Sequence, residues 1–171
     1  FLELIMGPTC SIVYENEPIE KNAMKEPPRP MSETFLSRKE LKISIIQGLL
    51  IAIGVLSMYQ FSVHNGGNEE QTRAMVFSTL IFANVFLSFV NRSFYYSVMD
   101  SLRYRNPLLI GISALVVLSL MAILYFEPFA RFFHVSPLHI TDLLYCLLAA
   151  GLSVGWFEGF KWMKRRKRVV S

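Results

Sequence analysis

The chain has 171 residues, of which 53% are hydrophobic and 18% are charged, and its formal net charge is +4. Soluble domains carry about 25% charged residues, and here the charges are collected between long apolar runs. This pattern excludes an ordinary soluble domain and predicts an all-α integral membrane bundle, with four full transmembrane helices and a truncated fifth at the N-terminus.

The chain opens on a short apolar stretch, residues 1–14, which we predict to be the end of a transmembrane helix. It is too short to span a bilayer by itself. It has no initiator methionine and no basic leader, so it does not fit a signal peptide. We therefore expect that the chain is the C-terminal end of a larger membrane protein, with the missing part of this helix on the outer side.

This first stretch contains a carboxylate, Glu3, followed four residues later by Gly7-Pro8. Proline cannot donate a helical hydrogen bond, and glycine adds backbone freedom, so a helix break is predicted at Gly7 and Pro8. Two interpretations of the break remain open. Unwound carbonyl oxygens beside a buried carboxylate can coordinate a cation, or the pair is a plain proline kink with Glu3 near the interface.

Residues 15–42 are rich in proline and charge, and we predict a solvated cytoplasmic loop there. Near its end Ser37 is followed three residues later by Glu40. This spacing is typical of a capping box and predicts that the next helix begins near Arg38.

Four apolar runs of 17 to 23 residues follow, at 43–61, 74–90, 108–126 and 138–160. With a rise of ~1.5 Å per residue, each can cross a hydrocarbon layer of roughly 30 Å. Polar side chains within the runs are predicted to form hydrogen bonds between helices. They are Gln47, Ser57, Ser78, Thr79, Ser113 and Ser119.

The last run has two further features. Asp142 and Glu158 lie near its two ends and are expected to reach the membrane interface. Gly151, Gly155 and Gly159 repeat every four residues, so they share one helix face. We predict that this face packs closely against a neighbouring helix of the bundle, in preference to mediating dimerisation.

Lysine and arginine are distributed unevenly among the polar segments. Alternate segments hold 15 and 2 of the 17 basic residues. Because basic loops remain in the cytoplasm, residues 15–42, the loop after the second run and the C-terminal tail are predicted to be cytoplasmic. The tail, residues 161–168, is interpreted as a stop signal for insertion, with attraction of anionic lipid as the alternative.

Two segments resemble a known family. Residues 1–11, FLELIMGPTCS, look like the sixth transmembrane helix of bacterial P-type cation-transporting ATPases of the calcium-pump and sodium-pump group. Residues 17–29, EPIEKNAMKEPPR, resemble the segment that follows that helix. The four runs then look like helices seven to ten, and residues 125–128 and 138–142 resemble family segments at the ends of helices nine and ten.

The resemblance implies an ATP-driven cation pump, and it carries ion ligands to particular positions. Glu3 and Asn84 match ligating positions, and their oxygens suit a hard cation. Gly7 stands where most members have an aspartate ligand, so it offers only its backbone. Because of this departure the transported cation stays unnamed.

The resemblance also implies partners that lie outside the chain. No DKTGT phosphorylation motif, TGD motif or glycine-rich phosphate loop is present, so we expect no ATP hydrolysis and no cofactor in the fragment, whereas the intact parent would use ATP and Mg²⁺. The cytoplasmic loop is expected to contact the parent's phosphorylation domain. Its residues in this role are Lys25, Glu26, Pro27, Pro28 and Arg29.

The expected location is a multi-pass position in the cell membrane, with a cytoplasmic C-terminus and contacts to lipid, to the missing domains of the same polypeptide and to the transported cation. Nucleic acid is not an expected partner. A non-catalytic multi-spanning protein or a piece of a secondary transporter remains the alternative. A secondary transporter would be expected to show an internal repeat, and none is apparent.

Overall fold

The computed structural model describes residue 15, residues 38–91 and residues 107–169. All regular structure in these ranges is helical, as the sequence predicts. In chain order the helices are α1 (Arg38–His64), α2 (Glu69–Val90), α3 (Pro107–Tyr125), α4 (Glu127–Phe133) and α5 (Ile140–Val169). Four of them, α1, α2, α3 and α5, are long and apolar enough to cross a membrane.

The helix ends differ from the apolar runs because capping groups, as well as hydrophobicity, decide where a helix begins. Helix α1 begins at Arg38, as predicted. Helix α2 begins at Glu69, five residues before its apolar run, because Asn68 accepts a hydrogen bond from the backbone N–H of Gln71 at 2.7 Å. Helix α4 was not predicted. It has Pro128 in its first turn, where the missing N–H of proline costs nothing.

The turn between α1 and α2 is a Schellman motif built on two glycines. Gly67 N–H donates to the carbonyl of Ser62, and Gly66 N–H donates to that of Val63. Gly66 has φ of +76°, a conformation that side chains with a Cβ rarely adopt. The motif ends α1 and directs the chain back along it, so that α1 and α2 form an antiparallel hairpin.

Helix α2 lies at the centre of the described bundle. It packs against α1, α3 and α5, whereas α4 packs on α3. Half of its membrane-spanning window is buried, against 22–28% in the other three spans. Its buried face includes Met75, Ile81 and Ala83. A side chain carried by α2 is therefore placed among three other helices.

Helices α1 and α5 approach each other closely at Gly54. A Cβ built on Gly54 would collide with Ser153 Oγ and would lie 3.1 Å from Ser153 Cβ. By contrast, a Cβ on Gly48 of the same helix would meet nothing within 4 Å. The small residue at 54 thus permits the α1–α5 contact.

The outward faces of α1, α3 and α5 are apolar. Leu56, Leu118 and Leu152 are 61–79% exposed within the described chain. Exposed apolar faces of this extent are typical of a surface that lies against lipid or against other membrane helices. The burial pattern agrees with the prediction of a membrane-embedded bundle.

Candidate functional site

Asn84 is a half-buried amide on the central helix α2. Its Nδ2 donates to the carbonyl of Leu80, one turn earlier, at 2.8 Å. This bond fixes the side chain and leaves Oδ1 as the group that can accept. Among the described residues no donor is bonded to that oxygen. The geometry therefore presents an oriented amide oxygen, which is the chemistry that a hard cation requires.

Several hydroxyl groups of α2 are held in the same local way as Asn84. Ser78, Thr79 and Ser88 each donate to the carbonyl four residues earlier in their own helix. Ser57 in α1 and Ser119 in α3 make the same intrahelical bond. Among the described residues, Ser57, Ser78 and Ser119 make this local bond and no bond between helices, because a membrane helix offers each hydroxyl a carbonyl at i−4.

Gln47 does form the predicted bond between helices. Its Nε2 donates to Oδ1 of Asn91 at 2.9 Å, and Nδ2 of Asn91 returns a longer contact of 3.5 Å to Oε1 of Gln47. Gln47 is buried in α1, and Asn91 is the C-cap residue of α2. The amide pair therefore ties α1 to the end of α2.

Lys161 reaches the same helix end from α5. Its ammonium donates to the carbonyl of Val90 at 2.6 Å and to Oε1 of Glu158 at 2.9 Å, and lies 5.1 Å from the ring centroid of Phe157. The residue is only 2% exposed. A cation at the C-terminus of α2 interacts favourably with the negative end of the helix dipole. We call the set Gln47, Val90, Asn91, Glu158 and Lys161 the three-helix junction.

The sequence predicts that Lys161 is the first residue of the basic tail, and the structure shows that its side chain is buried in the bundle. A lysine that directly follows an apolar run can extend to the interface or turn back into the protein, and sequence alone does not distinguish these. A usable signal was nevertheless present. Glu158 precedes Lys161 by three residues, a spacing that places the two side chains on one helix face.

Asp142 and Glu158 differ in their surroundings. Asp142 accepts a long contact of 3.4 Å from Nε2 of Gln71 on α2, and both residues are partly buried. Glu158 pairs with Lys161 and is 27% exposed. The expectation that the two carboxylates reach the membrane interfaces stays a prediction.

Several predicted site residues lie outside the described ranges. They are Glu3, Gly7, Pro8, Lys25, Glu26, Pro27, Pro28 and Arg29. Their assignment as ligands, helix break and coupling loop stays a prediction. Asn84 is thus the predicted ligand whose surroundings the structure describes.

The three glycines predicted for packing have different surroundings. A Cβ on Gly151 would meet the ring of Phe86 on α2 at 3.8 Å, which is an ordinary contact distance. A Cβ on Gly155 or Gly159 would meet nothing within 4 Å in the described chain. Gly54, which the sequence did not single out, marks a much closer helix approach. The predicted role of the three-glycine face remains a prediction.

Four apolar spans, of which the central one carries an oriented amide, define the described chain as part of a multi-pass helical membrane protein. Residues 1–163 match the family described as "Cation transporting ATPase, C-terminus". The chain therefore belongs to this family, the C-terminal membrane domain of cation-transporting ATPases.

Individual relatives agree with the family match. The chain is 24% identical to "Calcium-transporting ATPase 1" of Schizosaccharomyces pombe over 155 residues. The matched region covers 90% of this chain and 17% of the relative. It is 25% identical to human "Calcium-transporting ATPase type 2C member 2" over 130 residues, and this matched region covers 75% of this chain and 14% of the relative. The chain thus spans less than a fifth of the length of these curated relatives. The match favours the pump class over a secondary transporter.

Proposed function

We propose that this chain is the C-terminal membrane part of an ATP-driven cation pump of the calcium-pump type, and that it contributes part of the cation site. The observation that carries the proposal is Asn84, whose Oδ1 is free to accept while its Nδ2 is held by Leu80. The names of the relatives, which are calcium-transporting ATPases, support the class of transported ion.

In this proposal Asn84 acts with Glu3 and with the backbone of the Gly7-Pro8 break. Glu3 supplies the charge, and Asn84 supplies a neutral oxygen from the central helix. Calcium takes six to eight oxygen ligands, so the remaining ligands come from parts of the polypeptide beyond this chain. The spans correspond to helices seven to ten of a bacterial pump, with residues 1–14 as the end of helix six.

The catalytic machinery of the proposed pump lies in other domains of the same polypeptide. ATP and Mg²⁺ are used there, and residues 25–29 relay the phosphorylation state to the helix that carries Glu3. Replacement of Lys25, Glu26 and Arg29 by alanine in the intact pump would uncouple ATP turnover from transport. Unchanged transport and ATP turnover in this variant would rule out the relay.

The site is tested by the cation dependence of phosphorylation in the intact polypeptide. Asn84→Ala removes the amide oxygen and should raise the half-saturating cation concentration about tenfold or more. A tenfold change corresponds to a loss of ~1.4 kcal/mol of binding free energy. Glu3→Gln should weaken the dependence further, because it removes the matched charge. Ser119→Ala, at a partly exposed position of α3, is the control. An unchanged cation dependence in both ligand variants would refute the proposed site.

The same assay run with a panel of calcium, magnesium, manganese and sodium identifies the ion. Because Gly7 lacks a carboxylate, we expect one cation per cycle rather than two. Transport of two cations per ATP hydrolysed would contradict this expectation.

A further inference from the structure

A cavity of about 350 Å³ lies at the hairpin end of the bundle, between α1, α2 and α5. We call it the hairpin cavity. Its polar lining comes from Ser62 and Asn65 of the α1–α2 hairpin, Gln71 of α2 and Asp142 of α5, with Tyr145 on its wall. Its volume far exceeds the roughly 10–15 Å³ that one water needs. It can therefore hold a hydrated ion.

The formal charge of the hairpin cavity is negative. Among the described residues that line it, Asp142 is the only ionisable one apart from the phenol of Tyr145, and none is a lysine or an arginine. Asp142 also lies in the first turn of α5, where an acidic side chain interacts favourably with the positive end of the helix dipole. The 3.4 Å contact from Gln71 is longer than an ordinary hydrogen bond to a charged group. The carboxylate thus lacks a close cationic partner among the lining residues.

The neutral groups of the cavity supply further oxygen donors. Gln71 uses its Nε2 towards Asp142, which leaves Oε1 available. Asn65 contributes an amide at the end of α1, and Ser62 shares its hydroxyl with Thr72 at 2.8 Å. Carboxylate, amide and hydroxyl oxygens are the ligands that hard divalent cations prefer.

A neighbouring cavity on the other side of the hairpin provides a contrast. It has a similar volume, about 360 Å³, but it is lined by Arg73 beside Glu69. The guanidinium opposes cation binding there. Charge, rather than volume, therefore distinguishes the hairpin cavity.

We propose that the hairpin cavity is a second, low-affinity site for a hard divalent cation such as Ca²⁺, with Asp142 as its charged ligand and Gln71 as a neutral one. With a single carboxylate its dissociation constant should be about 10⁻⁴–10⁻³ M, as for calcium sites with few charged ligands. The site is separate from Asn84, because Asn84 lies thirteen positions beyond Gln71 on α2, which is about 20 Å along a helix.

Tyr145 makes the site observable. Its ring lines the cavity and is fixed edge-to-face against Phe61, with the ring centroids 5.2 Å apart. Tb³⁺ is a hard cation that emits light when a nearby tyrosine is excited. The intact polypeptide in lipid nanodiscs should show saturable Tb³⁺ emission on tyrosine excitation, and millimolar Ca²⁺ should displace it.

The variants separate this cavity from other sites. Tyr145→Phe should remove this emission, because it removes the sensitiser while keeping the oxygen donors. Asp142→Asn should raise the Tb³⁺ and Ca²⁺ concentrations needed at least tenfold, and Gln71→Leu should raise them several-fold. Glu69→Gln, in the neighbouring cavity, is the matched control and should leave the titration unchanged.

The proposal is overturned if Tyr145→Phe leaves the emission intact, or if both Asp142→Asn and Gln71→Leu bind as the parent does. Thermal unfolding of each variant checks the fold, and the Gln71 variant decides the matter if Asp142→Asn does not fold. Asn84→Ala should leave this emission unchanged. Loss of the Asn84-dependent cation response with intact Tb³⁺ binding, or the reverse, therefore distinguishes the two proposals.

Discussion

At the scale of single residues, the ammonium of Lys161 joins α5 to the C-terminal end of α2. It caps the carbonyl of Val90 at the C-terminus of α2 and pairs with Glu158 of its own helix. A buried charge is stable only when its hydrogen bonds are satisfied. The surrounding bonds explain how a lysine is accommodated at 2% exposure.

Lys161→Met is expected to destabilise the bundle. It leaves the carbonyl of Val90 and the carboxylate of Glu158 without this donor, at a cost of about 1–3 kcal/mol for an unsatisfied buried group. The apparent Tm of the purified protein in detergent should fall. Lys42→Met, on an exposed position of α1, is the control and should change the Tm little. Equal effects of the two substitutions would show that Lys161 contributes only its charge.

Asn84 shows how far residue type alone can be interpreted. The family resemblance selected this position from the sequence, and the structure adds the direction of the amide: Nδ2 is engaged and Oδ1 is available. Sequence cannot supply that orientation, because it depends on which backbone carbonyl lies within reach of the side chain.

Helix termini and close approaches are the features that matter at the scale of elements. Asn68 caps α2, and Glu69 and Glu70 lie in the first turn, where negative charge is favourable. These groups explain why the central helix extends beyond its apolar run.

Asn68→Ala should cost about 1 kcal/mol through loss of the N-cap bond. Because α2 contacts three other helices, fraying of its first turn should also increase hydrogen exchange at the backbone amides of residues 69–72. Exchange at the other end of α2 should be unaffected. Uniformly increased exchange along the helix would contradict a local capping role.

Gly54→Val tests the close approach of α1 and α5. The added side chain collides with Ser153, and overpacking typically costs about 1–3 kcal/mol. The apparent Tm should therefore fall. Gly48→Val is the matched control on the same helix, because open space lies in front of Gly48. Similar stability of both variants would show that α1 and α5 separate without cost.

The orientation of the bundle in the membrane is a property of the whole molecule. The lysine and arginine bias predicts that the α1–α2 hairpin and α4 face the outside and that the C-terminus faces the cytoplasm. The hairpin cavity would then open on the outer side, opposite the three-helix junction.

Single cysteines test this orientation. In a background without the native cysteines, Glu127→Cys should react with an impermeant maleimide added outside intact cells, whereas Ser171→Cys should react only after permeabilisation. Reaction of Ser171→Cys in intact cells, with or without reaction of Glu127→Cys, would contradict the predicted topology.

The number of long apolar spans, their approximate limits and the family could all be predicted from the amino-acid sequence. These features depend on local hydrophobicity, on the 17 basic residues and on short motifs, all of which are properties of neighbouring residues. The apolar runs could not reveal the start of α2 or the short α4, because caps and an early proline set those limits.

The tertiary structure decided which helix is central and which polar groups meet. Gln47 and Asn91 are 44 residues apart, and Gln71 and Asp142 are 71 apart, so no sequence period relates them. Their contacts depend on how ridges and small residues on different helices pack together. For the same reason, only packing shows that Lys161 is buried at the end of α2 while the neighbouring apolar faces are left exposed.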